Sequence, residues 1–126
     1  MIKKILFAII LFFSFQISQG QIGETVNYAD VDIVPEFVGG GVARNKFLSD
    51  NFKLPEHDSD LNGKITIKFI IEIDGQLTNF KVVEDVGLNS GTILIDVLKK
   101  SPKWVPGELN GVKVRVNHFI SLKIKS

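Results

Sequence analysis

The chain contains no cysteine. This absence excludes a disulfide framework, a zinc site built on thiolates and a lipid-modified cysteine, so stability must come from the core. An excess of one charge is also lacking, because 15 basic residues stand against 14 acidic ones. The basic residues alternate with apolar ones instead of forming a block, so nucleic acid is not an expected partner. With 126 residues, the chain is long enough for one small domain.

Long apolar runs are missing everywhere except at the N-terminus. There a basic start, residues 1–4, is followed by an unbroken apolar run, residues 5–13, and by small residues just before Gln21. This layout predicts a secretory signal peptide over residues 1–20, cleaved before Gln21, and hence a secreted protein. The alternative is an N-terminal anchor left uncleaved in the inner membrane. The run is shorter than the ~20 apolar residues that a spanning helix needs.

The strongest periodic pattern covers residues 63–73, where apolar and polar residues alternate as they do in a half-buried strand. Asp74-Gly75 suits a type I′ hairpin turn, which requires positive φ at both positions. Residues 77–84 then return as the antiparallel partner strand. The inward row expected for the first strand is Ile65, Ile67, Phe69, Ile71 and Ile73.

Two helices and a last strand complete the predicted domain, residues 35–126, after a loose lead-in over residues 21–34. Apolar residues at helical spacing predict one helix that ends before Leu54-Pro55, and a second from Ser90 to Ser101 capped by Asn89 or Ser90. Residues 107–111 read as a loop. One face of the last strand, residues 112–124, carries Val112, Val114, Val116, Ile120, Leu122 and Ile124.

This order of elements predicts a two-layer α+β domain. The second strand, the second helix and the last strand form a crossover whose two strands run parallel. The most apolar strand, the first, then lies in the centre of a three-stranded mixed sheet with the order second–first–last. The second helix covers one face of the sheet, and an N-terminal helix is added to it.

The same topology leaves one side of the last strand unpaired. Natural proteins often protect such edges with lysines, and Lys113, Lys123 and Lys125 fit that interpretation. They spare residues 116–122, however, which favours a binding edge. The residues expected to bind an extended peptide are Val114, Arg115, Val116, Asn117, His118, Phe119, Ile120 and Ser121.

Several short motifs occur in a characteristic order, and together they resemble the C-terminal domain of the TonB family over roughly residues 35–125. They are Pro35-Glu-Phe-Val-Gly-Gly40, Leu54-Pro55, Gly63-Lys-Ile-Thr-Ile-Lys-Phe69, Asp74-Gly75, Pro102-Lys-Trp104, Pro106-Gly107 and Asn110-Gly111. The resemblance implies a periplasmic domain that binds a segment of an outer-membrane receptor, the TonB box, by adding it as a strand to the sheet edge. It thereby implies a link to outer-membrane transport.

Two features depart from the family pattern. The chain has no Pro-rich spacer, and the position before Pro55 is the aliphatic Leu54 where the family usually has an aromatic residue. Three interpretations therefore stay open: a freestanding peptide-binding module, an accessory to a transducer, or a relative that has kept the fold and changed its partner. The partner that the resemblance implies is a receptor segment or an inner-membrane transducer complex. A second hypothesis is a structural module of the cell envelope that pairs edge to edge with a copy of itself, without a role in transport.

Catalytic and metal chemistry have weak support in the sequence. A third hypothesis, a hydrolase or metal protein, would use the two histidines, His57 and His118, with the nearby acids at 56–60. Residues 58–63 imitate the start of a calcium-binding EF-hand loop, but the twelfth position, which needs a glutamate, is Phe69. We therefore expect no catalytic residue, no metal site and no cofactor, and hence no enzymatic role.

Overall fold

The computed structural model describes residues 23–56 and 60–125. The predicted signal peptide, residues 1–20, lies outside this range. Among the described residues, no helix is long and apolar enough to cross a bilayer. The elements in chain order are β1 (Thr25–Asn27), a 3-10 turn (Tyr28–Asp30), α1 (Gly40–Asn51), β2 (Asn62–Ile71), β3 (Leu77–Glu84), α2 (Ser90–Lys99), β4 (Gly107–Leu109) and β5 (Val112–Lys125).

The sheet has the order β1-β5-β2-β3, with β4 paired to β5 beside this path. The predicted α+β class and the order second–first–last are confirmed, since β2 lies between β3 and β5. Both neighbours run antiparallel to β2, so β3 and β5 are parallel, as the crossover requires. β2 and β5 keep a one-to-one register over ten pairs, whereas the β2–β3 ladder contains two register shifts.

The core lies on one face of the sheet, where α2 packs against β2 and β3. Four residues of the predicted inward row of β2 are fully buried: Ile65, Ile67, Phe69 and Ile71. Each contributes roughly 1.5–3 kcal/mol by leaving water. Leu94 and Leu98 of α2 and Leu48 of α1 join the same cluster. The prediction that Ile73 is the fifth member of this row is wrong, because Ile73 lies in the following turn and is 47% exposed.

The N-cap of α2 lies at one of the two predicted positions, but the capping hydrogen bond is missing. Asn89 is the N-cap residue, but its backbone is left-handed (φ 59°) and its side chain makes no capping hydrogen bond. The hydroxyl of Ser90 instead accepts a hydrogen bond from the N–H of Val86 (3.2 Å). The side chain of Ser90 therefore fixes the loop that enters the helix.

The type I′ turn occurs in a different place from the one predicted. Of the two predicted turn residues between β2 and β3, only Gly75 has positive φ (89°), and Asp74 does not. The N–H of Gly75 donates to the carbonyl of Glu72, and the N–H of Glu72 donates to the carbonyl of Gln76, so the loop has three residues. In the β4–β5 hairpin both Asn110 (φ 54°) and Gly111 (φ 78°) have positive φ, as a type I′ turn requires.

The segments predicted as a loose lead-in and as a loop belong to the sheet. β1 runs parallel to β5, with residues 25–27 opposite residues 115–117. The predicted loop at 107–111 contains β4, which pairs with residues 112–114. Ile33 forms a bridge with Glu108, and the carboxylate of Asp32 accepts a hydrogen bond from the N–H of Asn110 (2.8 Å). The lead-in is therefore anchored along much of its length.

Candidate peptide-binding edge

One stretch of β5 keeps an unpaired side. From His118 to Lys125, β5 pairs with β2 alone among the described residues. We call the outer side of this stretch the open edge. Its eight residues extend over about 26 Å at ~3.3 Å per residue. The unpaired edge is thus shorter than predicted, and the prediction that one side of the last strand is unpaired along its whole length is wrong.

The eight predicted binding residues divide into two groups at this boundary. Val114 to Asn117 already lie beside strands of the same chain, β4 and β1. His118, Phe119, Ile120 and Ser121 lie on the open edge. In the first group, Val114 is paired with β4, and residues 115–117 are paired with β1. The second group and the residues after it therefore form the candidate site.

The backbone groups that face the open edge alternate along β5. At the end of β2 the N–H of Glu72 donates to the carbonyl of Gln76 (2.8 Å), so Glu72 faces β3 and Ile71, its neighbour, faces β5. The one-to-one register carries this alternation along the whole ladder between β2 and β5. The residues of the open edge whose N–H and C=O groups then face outward are Phe119, Ser121, Lys123 and Lys125.

Side chains of β5 hold β1 against the start of the open edge. The amide of Asn117 donates to the hydroxyl of Thr25 (2.8 Å), and Nη1 of Arg115 donates to the carbonyl of Gly23 (3.1 Å). The ring of Tyr28 stacks on the imidazole of His118, with centroids 4.1 Å apart and planes 15° apart. At Tyr28 the chain enters the 3-10 turn and leaves the sheet, so the open edge begins where β1 ends.

Arg115 is engaged within the domain. Its Nε and Nη2 donate to the two carboxylate oxygens of Glu72 (2.6 and 3.0 Å), and both side chains are largely buried. The hydroxyl of Thr78 donates to the same carboxylate. The hydrogen bonds from Arg115 lower the pKa of Glu72 below its usual value against the opposing effect of burial. The pair joins β5, β2 and β3 beside β1, so Arg115 supports the site without facing a ligand.

A groove of about 680 Å³ opens on the sheet face opposite the helices, beside the start of the open edge. Phe119 on β5 and Val83 on β3 are 59% and 58% exposed, with Thr66 and Lys68 of β2 between them. Asn27 and Tyr28 close the groove at the end of β1. An apolar groove next to unpaired backbone groups can receive one side chain of an added strand. We call it the outer groove.

His118 lies on the helix side of the strand, as its place in the apolar row predicts. Its ring meets Phe69 edge-on at 5.9 Å. Burial lowers its pKa to about 4, with a further contribution from the charge of Arg44. His57 lies outside the described residues. Within residues 23–56 and 60–125, no three metal-ligating side chains lie together, and Phe69, the twelfth position of the calcium-like loop, is fully buried in β2.

The lowered pKa of His118 predicts acid sensitivity. Between the unfolded value near 6.5 and the folded value of about 4, the unfolded chain binds more protons, so stability falls as the pH falls through this window. Glu72 has the lowered pKa typical of a paired carboxylate, so its contribution is lost only below its usual value of 4.5. Thermal melts of His118→Gln should lack the decline between pH 6.5 and 4.5 and keep the one at lower pH. An unchanged profile would contradict the burial of a neutral imidazole.

Comparison with known proteins gives no relative. No protein-family model matches the chain, no curated protein matches it, and no solved structure matches it.

Proposed function

We propose that the protein is a periplasmic, non-enzymatic domain similar to the TonB C-terminal domain, which binds an extended peptide by strand addition. The observation that carries the proposal is the open edge, eight residues of regular strand with one free side. The partner of the proposed function is a segment of an outer-membrane receptor, and the role is a link to outer-membrane transport. The order of sequence motifs from Pro35 to Asn110-Gly111 supports this choice of partner.

The distribution of lysines supports binding over simple protection. Lysines of β5 lie at the two ends of the strand, at 113, 123 and 125, and none lies between His118 and Leu122. The exposed ring of Phe119 stands there instead. In strand addition, main-chain hydrogen bonds supply affinity and pockets for alternate side chains supply selectivity. The open edge offers the first and the outer groove offers the second.

The opposite edge of the sheet is built differently. Among the strands that the structure describes, β3 also pairs on one side only. Its ladder with β2 shifts register twice, however, and Asn79 has positive φ (53°). Bulges of this kind interrupt the regular spacing of donors and acceptors and protect an edge against pairing. β5 lacks such a shift along its ladder with β2. The regular edge is therefore the better template for a foreign strand.

A proline on the open edge tests the proposal. Random eight-residue peptides displayed on phage are selected on the purified full chain, and the strongest binder is synthesised with a fluorescent label. Its Kd should be micromolar, near −8 kcal/mol, as for small transient interfaces. Ser121→Pro removes an outward N–H and should weaken binding about ten-fold or more, because an added strand loses a main-chain hydrogen bond.

Ser121→Ala is the matched control. Both variants lose the hydroxyl that lies 2.8 Å from Oγ1 of Thr66, and only the proline variant loses the amide, so Ser121→Ala should bind like the wild type. Equal affinity of all three proteins, or no selected peptide, would overturn the proposal. Edge-to-edge pairing would be established instead by three results together. Light scattering would give the wild type twice the monomer mass, Ser121→Pro would be a monomer, and no peptide would be selected.

A further inference from the structure

A second, smaller cavity lies on the helix side of β5 next to the start of the open edge. It has a volume of about 120 Å³ and lies between the start of α1 and β5. At ~30 Å³ per water molecule it has room for a group the size of a carboxylate. Tyr28 and His118 line both this cavity and the outer groove, so the cavity adjoins the place where an added strand would begin.

Arg44, one of the residues that line this cavity, has a hydrogen-bond donor without an acceptor. Its Nε is buried and has no hydrogen-bond partner. Within the described part of the chain, its side chain makes one hydrogen bond, from Nη2 to the side chain of Asn45, at a long 3.4 Å. A buried donor without a partner costs about 1–3 kcal/mol, and more when it is charged. Native structures rarely keep such a group unless an ion, a water molecule or a ligand satisfies it.

The surroundings of Arg44 favour an anion. The imidazole of His118 feels the positive charge of Arg44. The cavity also contains one carboxylate residue, Glu36. Glu36 is exposed, and among the described ion pairs it forms none with Arg44. Its backbone is fixed in a bridge to Val105. The guanidinium therefore keeps a donor without a partner among the described residues, and Arg44 is one of the residues that line the cavity.

We propose that the Arg44 cavity receives a carboxylate of the bound peptide, an inference that rests on the proposed strand addition. Planar guanidinium groups bind carboxylates through paired hydrogen bonds. The carboxylate has two sources, which correspond to the two directions of an added strand. A peptide parallel to β5 places its first residue near Tyr28, so an acidic side chain would enter. An antiparallel peptide places its C-terminus there, so the terminal carboxylate would enter.

The test uses four forms of the selected octapeptide. They carry glutamate or glutamine at the first position, and each ends in a free carboxylate or in a carboxamide. We expect the wild type to bind at least one carboxylate form about ten-fold more tightly than the doubly neutral form. The form that gains affinity identifies the source of the carboxylate and the direction of the strand.

Two variants on α1 assign the effect to the cavity. Arg44→Gln should remove the preference for the carboxylate, so that this variant binds the carboxylate forms no more tightly than the doubly neutral form. Lys46→Gln removes the same charge from an exposed side chain that pairs with Asp50, and it should keep the preference. Far-UV circular dichroism confirms that both variants are folded.

The outcomes separate this inference from the proposed function. If the four forms bind the wild type with equal affinity, and Ser121→Pro lowers the affinity for all four equally, the carboxylate site is overturned and strand addition stays in place. A preference that survives Arg44→Gln would also overturn it. A carboxylate preference that Ser121→Pro leaves intact, with no loss of affinity, would retain an anion site and reject strand addition.

Discussion

Replacing Gly75 by alanine should destabilise the domain more than the same replacement at Gly111, the glycine of the β4–β5 turn. Gly75 has φ 89°, and an added Cβ would lie 2.1 Å from the backbone carbonyl oxygen of Trp104. The left-handed conformation costs about 1–2 kcal/mol for a residue with a side chain, and overpacking typically adds about 1–3 kcal/mol. Because the clash is with backbone, a side-chain rotation cannot relieve it. We expect Tm to fall by about 10 °C or more.

Gly111→Ala is the matched control for this prediction. Gly111 also has positive φ (78°), but no atom lies within 4 Å of the added Cβ. Only the conformational cost of about 1–2 kcal/mol then remains. Thermal and urea unfolding of the two variants, followed by circular dichroism, should separate the clash from the backbone term. Equal losses would contradict the close approach of the β2–β3 turn to Trp104.

The long strands could be predicted because their pattern and their burial agree. Alternation in β2 reflects one face buried under helices, and Ile65, Ile67, Phe69 and Ile71 are buried as the pattern indicates. The same reasoning gave β5 and its inward row, which contains Val116 and Ile120. A one-residue slip would move every one of these side chains to solvent. Hydrophobic patterning therefore determines the centre of this sheet.

Turn type could not be read from the dipeptides alone. Asp74-Gly75 and Asn110-Gly111 both suit a type I′ turn, yet only the second adopts it. The carbonyl of Gly75 accepts a hydrogen bond from the N–H of Trp104 (2.8 Å). This contact comes from a residue 29 positions further along the chain, and no local rule contains it. Ile73 joins the loop as a result and loses its place in the core row.

The extent of the candidate site also depends on distant contacts. β1 has three residues, too few to show a period, and the side chains of Arg115 and Asn117 hold it in place. The β-branched pair Thr25-Val26 was the only local signal for a strand there. The sequence therefore predicts that β5 has an unpaired side, but the length predicted for that side is too great. Sequence reasoning also missed Tyr28 and Arg44, which reach His118 only in the folded chain.

Trp104→Ala should cost about 3–5 kcal/mol, the range for truncation of a large buried aromatic side chain. Trp104 is 4% exposed. Its ring meets Phe37 at 5.7 Å and Phe69 at 5.8 Å, both edge-on, and its Nε1 donates to the hydroxyl of Ser101 (3.3 Å). Removing the ring leaves a cavity between the segment after α2, the helix side of β2 and the segment before α1. Urea unfolding must be followed by far-UV circular dichroism, because the chain has no other tryptophan.

Phe119→Ala provides the contrast, because it removes an aromatic ring that is 59% exposed. A surface change of this kind should alter the free energy of unfolding by no more than about 0.5 kcal/mol. The same variant should weaken the selected peptide, since the ring lines the outer groove. The two variants thus separate stability from binding, because Trp104 packs in the core and Phe119 lines the outer groove proposed to receive the peptide. If Phe119→Ala destabilises the domain as much as Trp104→Ala does, its ring is part of the fold, and the open edge loses its apolar pocket.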